Sequence, residues 1–251
     1  MKFFDINLYL GSPVKPVFKP VTVAKELDEM LDGLGVEKAL VWHLTQYYYF
    51  PSEGNIILSK EIKGHKNLYG SFAVLPPQTR EMDLGPKFFR SMKENNAKAV
   101  RVFPTMNHYQ MSRLVFGKFF DELTERKIPV LLSQGREGHN WSVIYGMMKD
   151  FPKLTVVLCD IGSWDHTRMY LPLMENYENF HVETSLVSVH EGTLELIANT
   201  YGPERVLYGS GFPETYPESS MLQIMHADIP QSFKEKIAYE NAAKLISRAE
   251  L

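Results

Sequence analysis

The sequence has a single cysteine, no long apolar run and no excess of either charge, and each absence excludes a class of protein. One cysteine, Cys159, among 251 residues excludes a framework of disulfides within the chain, which is typical of a reducing compartment. No apolar run approaches the roughly 20 residues that span a bilayer, so we expect no membrane partner. The formal net charge of −3 gives no reason to expect binding to nucleic acid or to an anionic surface.

Two local signals are absent as well. The segment Met1–Asp5 reaches an acidic residue too early for the apolar region of a signal peptide, so we expect a cytoplasmic protein. No glycine-rich G-x-G-x-x-G turn follows the first apolar run, which argues against a dinucleotide-binding sheet. Since linkers, repeats and low-complexity tracts are also missing, we expect one domain over residues 1–251.

What the sequence does contain is an alternation of short apolar runs with longer amphipathic segments. The runs are rich in Val, Leu and Phe and nearly free of charge, as is typical of parallel strands buried on both faces. The predicted strands are Phe3–Leu8, Ala39–Leu44, Leu68–Leu75, Ala97–Phe103, Pro129–Leu132, Thr155–Cys159, Phe180–Thr184 and Val206–Tyr208. Eight strands separated by helices predict a single-domain (β/α)8 TIM barrel, with an open doubly wound sheet as the alternative.

The amphipathic segments between these runs predict the helices. Thr22 is predicted to cap the first helix, whose apolar stripe ends near Gly35. Further helices are predicted at about Glu53–Lys63, Leu84–Asn95, Ser112–Arg126, Trp141–Asp150, Trp164–Tyr177, His190–Thr200, Pro217–His226 and Gln231–Ala249.

In such a barrel the chemistry lies at the carboxyl ends of the strands, so the residues at those ends matter most. Alternation along the first strand places Asn7 and Tyr9 on the same side. The fifth strand ends at Ser133, the sixth is followed by Asp160, and the eighth is followed by Gly-Ser-Gly-Phe-Pro, with Gly211 in its centre.

These strand ends resemble those of amidohydrolases of the amidohydrolase 2 type. That family opens with Asp-x-His-x-His-x-Gly, and Asn7 and Tyr9 stand at its two histidine positions. Ser133 and Asp160 stand at two further histidine positions, and Gly211 replaces the Asp of Gly-Ser-Asp-x-Pro. The resemblance implies an amidohydrolase-like barrel, and it also implies a homodimer.

The stretches 179–185 and 236–245 are also similar to the family's seventh strand and closing helix. Asn and Tyr are poor zinc ligands. Of the residues at the metal-binding positions only Asp160 is a competent ligand, so we predict degenerate ligand positions, no family-type metal centre and no cofactor.

Arg101 is the first candidate for ligand binding. It lies inside a strand, on the face opposite Val100 and Val102, where a guanidinium needs an anionic partner. Pairing with a protein carboxylate, such as Asp160 or Glu183, and binding of a ligand anion are both open.

Asp160 is the best candidate for a general base, and a structural carboxylate held by Arg101 or by backbone donors is the alternative. Tyr9 and Ser133 are the candidates for stabilising an oxyanion. The remaining candidates for substrate binding lie at strand ends or in the loops that follow them, and they are Asn7, His43, Gln134, Arg136, His139, Glu183 and Glu214.

Two loops also have compositions that suit a binding site. The loop Gly135–Trp141 is either a ligand-facing loop or a mobile turn. The aromatic run Tyr47–Phe50 could line an apolar pocket, form an oligomer contact or pack over the barrel mouth.

Two functional hypotheses follow. The first is a metal-independent hydrolase, of lactonase or carboxylate type, that acts on a small anionic organic molecule; the resembled family includes metal-independent lactonases. The second is a barrel without catalytic activity that binds a small ligand or a protein partner.

Overall fold

The computed structural model describes residues 1–138, 140–161, 166–185 and 192–251. These residues contain one sheet of eight parallel strands that follow one another in chain order. The strands are β1 (Phe3–Leu10), β2 (Val36–His43), β3 (Leu68–Ala73), β4 (Ala97–Val102), β5 (Val130–Ser133), β6 (Val156–Cys159), β7 (Phe180–Glu183) and β8 (Val206–Leu207).

The sheet closes on itself at the seam between β1 and the segment after β8. Ile6 N–H donates to the carbonyl oxygen of Tyr208 at 3.1 Å, and Gly211 N–H donates to that of Asn7 at 2.8 Å. The predicted (β/α)8 barrel is therefore confirmed, and the open doubly wound sheet is excluded.

Helices pack around the strands, and the last three of those described follow β8 rather than connecting two strands. The helices are α1 (Ala24–Leu34), α2 (Thr45–Tyr48), α3 (Pro51–Glu61), α4 (Pro86–Glu94), α5 (Arg113–Glu125), α6 (Trp141–Asp150), α7 (Thr167–Asn176), α8 (Thr193–Thr200), α9 (Pro217–His226), α10 (Gln231–Glu235) and α11 (Asn241–Ser247). A π-helical turn, Lys236–Glu240, joins α10 to α11, so the predicted closing helix contains one change of winding. The predicted helix starts at Trp164 and His190 lie outside the described residues.

The start of α1 differs from the prediction. Thr22 does not cap the helix, because Val23 occupies the N-cap position and no side chain bonds to the first turn from there. The N–H of Ala24 instead donates to a carboxylate oxygen of Glu61 in α3, at 3.1 Å. The predicted end is confirmed, since Gly35 adopts the left-handed conformation, at φ 74°, that closes the helix.

Apolar side chains fill the barrel interior at its amino-terminal end. This interior cluster includes Phe4, Ile6, Leu131 and Cys159, and α11 adds Ala242 and Ile246 to it. Cys159 is thus a small core residue, as expected from strand alternation. At the other end, where the strands finish, the buried polar side chains include Asn7, Arg101 and Glu183.

None of the described helices has the length and apolarity to cross a bilayer.

Candidate functional site

A cavity of about 650 Å³ lies over the carboxyl ends of the strands. Its size is within the range of about 300–1,000 Å³ that is typical of small-molecule sites. Its walls come from the loops after β1, β2, β4, β5, β6 and β8, and the lining residues are Pro13, Lys15, Pro16, Val17, Tyr47, Tyr48, Thr105, Gly135, Arg136, Gly138, Asp160, Gly211, Glu214 and Thr215. We call this space the mouth cavity.

Asp160 presents a carboxylate to the mouth cavity from the end of β6. Its Oδ1 accepts hydrogen bonds from Asn7 Nδ2 at 2.7 Å and from Ser185 Oγ at 3.3 Å, and its Oδ2 accepts one from Ser133 Oγ. The backbone of Asp160 lies in the left-handed region, at φ 52°, which few residues other than glycine adopt. Three donors and an unusual backbone angle therefore hold one carboxylate in a fixed direction.

Glu183, at the end of β7, lies beside Asp160 and is fully buried. It accepts hydrogen bonds from the backbone N–H of Asp160 at 2.7 Å and from the N–H and the Oγ of Ser185, each at 2.6 Å. Burial, and then the neighbouring charge of Asp160, raise the pKa of Glu183 to about 8. Glu183 therefore holds its proton more tightly than an exposed glutamate does.

The glycine at position 209 makes room for Glu183. A Cβ atom built there would lie 2.2 Å from Oε2 of Glu183, so the chain after β8 approaches this carboxyl more closely than any side chain would allow.

Asn7 connects these carboxyls to a buried cation. Arg101 Nη2 donates to Asn7 Oδ1 at 3.0 Å, which fixes the direction of the amide and turns Asn7 Nδ2 towards Asp160 and Glu183. Arg101 is completely buried, and burial lowers its pKa; its guanidinium lies 5.1 Å from the centre of the Trp42 ring.

The position of Arg101 bears on both roles that the sequence left open. Among the described residues Arg101 forms no direct salt bridge, and it does not line the mouth cavity. Its Nε and Nη1 have no hydrogen-bond partner in the described part of the chain. Arg101 thus reaches the two carboxylates through Asn7, below the cavity floor.

The guanidinium that does line the mouth cavity is that of Arg136, in the loop after β5. It lies 4.8 Å from the ring centre of Trp42, 5.1 Å from that of Tyr47 and 5.4 Å from that of Tyr9, and we call these three rings the aromatic box. Its Nη2 donates to Glu214 Oε1 at 2.8 Å. Cation–π contacts with these rings hold the charge at the cavity wall.

Glu214 is the acceptor shared by Arg136 and Tyr9. Tyr9 OH donates to the same Oε1 of Glu214 at 3.0 Å. Burial and the charge of Glu214 raise the pKa of Tyr9, so this phenol stays a neutral donor. Burial lowers the pKa of Arg136, but the charges of Asp160 and Glu214 outweigh it, and the pKa of this guanidinium is raised.

Two further predicted residues, Gln134 and His43, lie away from the cavity wall. Gln134 is fully buried, its N–H donates to the carbonyl oxygen of Cys159 at 2.8 Å, and its side-chain amide has no partner among the described residues. His43 ends β2, and its Nδ1 accepts from the N–H of Thr45 at 3.1 Å. Burial lowers the pKa of His43, so this ring is neutral. His139 lies outside the described residues.

The sequence did not single out Glu137, which links two loops of the site. Glu137 Oε2 accepts from the N–H of Thr105 at 2.9 Å and from Thr105 Oγ1, although its own loop follows β5 and Thr105 follows β4. Burial raises the pKa of Glu137. The composition of the loop Gly135–Trp141 made the loop a candidate as a whole, but a charged residue in a loop ordinarily predicts a solvated position, so nothing indicated that Glu137 is buried.

Comparisons with known proteins agree with this architecture. Residues 63–248 match a family model described as Amidohydrolase. A search of curated proteins gave no match.

Solved structures match over nearly the whole chain. An uncharacterized TIM-barrel protein from Bordetella bronchiseptica is 16% identical with a TM-score of 0.74, covering 99% of each chain. A 2,6-dihydroxybenzoate decarboxylase complexed with 2,6-dihydroxybenzoate is 16% identical with a TM-score of 0.71, covering 98% of each chain. A 5-carboxyvanillate decarboxylase from Novosphingobium aromaticivorans, with bound manganese and a nitrobenzoic acid, is 13% identical with a TM-score of 0.74, covering 98% of this chain and 97% of that one. At these identities the likeness shows the fold.

The side chains described at the strand ends do not suit a divalent metal such as the manganese bound in the 5-carboxyvanillate decarboxylase. A metal needs lone pairs, but the Nδ2 of Asn7 points an N–H donor at both Asp160 Oδ1 and Glu183 Oε1, and the Arg101 cation lies behind it. No group of three or more His, Cys, Asp or Glu side chains in the described ranges has a metal-binding arrangement.

Proposed function

The chain belongs to the amidohydrolase family, and from this premise we propose that it hydrolyses an ester or lactone bond in a small organic acid without a bound metal ion. One observation carries the proposal: a carboxylate, Asp160, and a guanidinium, Arg136, line the same mouth cavity. A general base and an anion-binding group are the two parts that this reaction needs.

Arg136 and Tyr9 supply the binding site for the substrate's acid group. Both donate to one carboxylate oxygen of Glu214, so their geometry already suits a carboxylate. A substrate carboxylate takes that place, and the aromatic box restricts the guanidinium to this direction. Arg101 and Arg136 were both candidates for substrate binding from the sequence, and this proposal assigns the anion contact to Arg136.

Asp160 acts as the base. Its carboxylate removes a proton from a water molecule while the water oxygen attacks the carbonyl carbon of the ester. When the carbon–oxygen bond to the leaving group breaks, the protonated Asp160 returns the proton to the leaving alkoxide. Ser133 can donate to the carbonyl oxygen at the stage when Asp160 is protonated, because the neutral carboxyl no longer needs that hydrogen bond.

A ligand-binding barrel without catalysis is the second candidate, and the surroundings of Asp160 favour it. Both oxygens of this carboxylate already accept hydrogen bonds from protein donors, so neither is free to receive a proton from water without the loss of such a bond. In that case the mouth cavity binds an organic anion through Arg136 and Tyr9 alone.

The test compares the unchanged protein with Asp160→Asn and Arg136→Met on a panel of lactones, esters and carboxylates. If the protein is a hydrolase, Asp160→Asn lowers kcat by about 100-fold or more, because general-base catalysis contributes about that much, while the product acid still binds. Arg136→Met instead weakens binding of the acid.

The same experiment distinguishes the hydrolase from the binding barrel and also tests whether a metal ion is required. Ligands that stabilise the protein without turnover, equally in Asp160→Asn, support the binding role. Stoichiometric manganese or zinc in the purified protein, with turnover that chelation abolishes, contradicts the metal-independent hydrolase.

A further inference from the structure

A second cavity, of about 540 Å³, lies next to the mouth cavity. It is formed by the loop 16–19, by α1 and by residues 212–218. Its lining includes the apolar side chains of Val17, Phe18, Met30, Leu34, Phe212 and Tyr216, with the charged residues Lys19, Glu29 and Glu218 beside them. Phe18 and Tyr216 are 82% and 71% exposed, so the cavity offers apolar surface that the fold itself leaves uncovered.

The two cavities share one wall. Pro16, Val17, Glu214 and Thr215 line both of them. The side chain of Glu214 is 51% exposed, and the hydrogen bonds that the structure describes for its carboxylate come from Arg136 and Tyr9. A ligand that replaces Glu214 as the acceptor for Arg136 and Tyr9 therefore displaces the Glu214 side chain from the wall that the two cavities share.

We propose that the second cavity binds the apolar portion of an amphiphilic carboxylate whose head group replaces Glu214 on Arg136 and Tyr9. The inference rests on the carboxylate site of the proposed function and names the substrate class: an organic acid that carries an aliphatic chain or a ring. A short acid occupies only the mouth cavity, whereas a longer one continues past the released Glu214 side chain.

The occupant is the tail of a small molecule because the surface is a concave cavity that continues from the mouth cavity. The apolar groups lie directly beyond the acceptor that a carboxylate displaces, so one molecule can contact both regions. Burial of a methylene group is favourable by about 0.8 kcal/mol, which corresponds to about a fourfold gain in affinity.

Isothermal titration calorimetry with linear carboxylates from acetate to decanoate tests this. We expect weak binding of the short members. Once the chain reaches the second cavity, each further methylene should raise the affinity by about fourfold. Affinity that does not depend on chain length overturns the inference. If Arg136→Met still weakens the binding of every member in that case, the proposed function stands while the inference fails.

A matched pair of variants tests whether the gain in affinity with chain length comes from the second cavity. Phe18→Ser removes an apolar wall of the second cavity and should abolish the rise for the longer acids, while acetate binding stays unchanged. Phe50→Ser makes the same replacement at a residue that is 67% exposed and lines neither cavity, so the rise should be retained.

Light scattering after size-exclusion chromatography distinguishes a different occupant. If Phe18→Ser converts a dimer into a monomer and the chain-length series is flat, the second cavity lies in an interface between copies of the chain, which overturns the inference. If no carboxylate of any length binds, the proposed function and the inference both fail.

Discussion

At the floor of the mouth cavity, the amide of Asn7 joins one buried cation to two carboxyl groups. Its oxygen accepts from Arg101, and its Nδ2 donates to Asp160 and Glu183. A neutral histidine here would offer a single N–H where the Asn7 amide offers two, one for each carboxyl, and an aspartate would add a further negative charge. The residue type at position 7 therefore determines what the carboxyls can bind.

The raised pKa of Glu183 makes the stability of the protein depend on pH. The folded-state pKa lies at about 8, above the ordinary value of 4.5, so the folded protein holds this proton more tightly than the unfolded chain. Its contribution to the free energy of unfolding is fully present below 4.5 and is lost as the pH rises through about 8. We expect Glu183→Gln to flatten the decline over this window, measured by urea unfolding.

Glu94→Gln is the control for this experiment, because Glu94 is exposed near the end of α4. It should leave the pH profile unchanged. A Glu183→Gln profile that falls as steeply as that of the unchanged protein contradicts the assignment of the proton to Glu183.

Gly211 stands where the resembled family has an aspartate, and its backbone does not suit one. Its φ is +69°, and a Cβ there would lie 2.8 Å from Thr215 Oγ1 and 3.1 Å from Ser185 Cβ. Because both the angle and the contacts are unfavourable, we expect Gly211→Asp to lower the free energy of unfolding by about 1–3 kcal/mol. Urea unfolding measures this.

Gly146→Asp is the matched control, since Gly146 is exposed in α6 and nothing lies within 4 Å of a Cβ built there. Gly146→Asp should leave the free energy of unfolding nearly unchanged, because aspartate is no poorer a helix former than glycine. If Gly211→Asp costs no more than Gly146→Asp, the backbone of this segment accepts side chains and the argument from φ is wrong.

At the scale of elements, Asp5 holds the seam between β1 and the segment after β8. Its Oδ1 accepts from the N–H of Asn7 at 2.9 Å and from the N–H of Ser210 at 3.1 Å, where the register of β1 is irregular. Asp5 is fully buried, and burial raises its pKa to about 6. One side chain thus satisfies two backbone donors that the strand ladder leaves free.

We expect Asp5→Ala to lower the free energy of unfolding by roughly 2–6 kcal/mol, because two buried N–H groups lose their acceptor. Asp5→Asn keeps an acceptor oxygen at the same place and should lose clearly less. Urea unfolding of both variants checks this, and equal losses would show that the hydrogen bonds at the seam are not the cause.

At the scale of the whole molecule, the sequence predicted the barrel well because the signal is repeated. Each of the eight short apolar runs is followed by an amphipathic segment, so each repeat independently indicates a parallel sheet. A misplaced strand end, such as Leu8 instead of Leu10 in β1, does not change that prediction. The homodimer and the cytoplasmic location stay predictions.

The site was predicted less completely, because its contacts join residues far apart in sequence. Their positions at the carboxyl ends of predicted strands placed Asn7, Asp160 and Glu183 at the same end of the barrel, but nothing local indicated that Arg136 rather than Arg101 lines the cavity. That difference depends on how far each side chain sits from the end of its strand and on the three rings around Arg136.

The balance of charge inside the barrel gives the last prediction, which concerns metal removal. Asp5 and Glu183 have raised pKa values, and Asn7 and Arg101 oppose the charge of Asp160, so these groups need no added cation for stability. We expect dialysis against EDTA to leave the free energy of unfolding unchanged, with calcium-saturated EDTA as the control. We also expect excess manganese to leave it unchanged. Specific binding would raise the free energy of unfolding by about 2.7 kcal/mol when the manganese concentration is about 100 times its dissociation constant. Such an increase would contradict the conclusion that these side chains balance the charge among themselves.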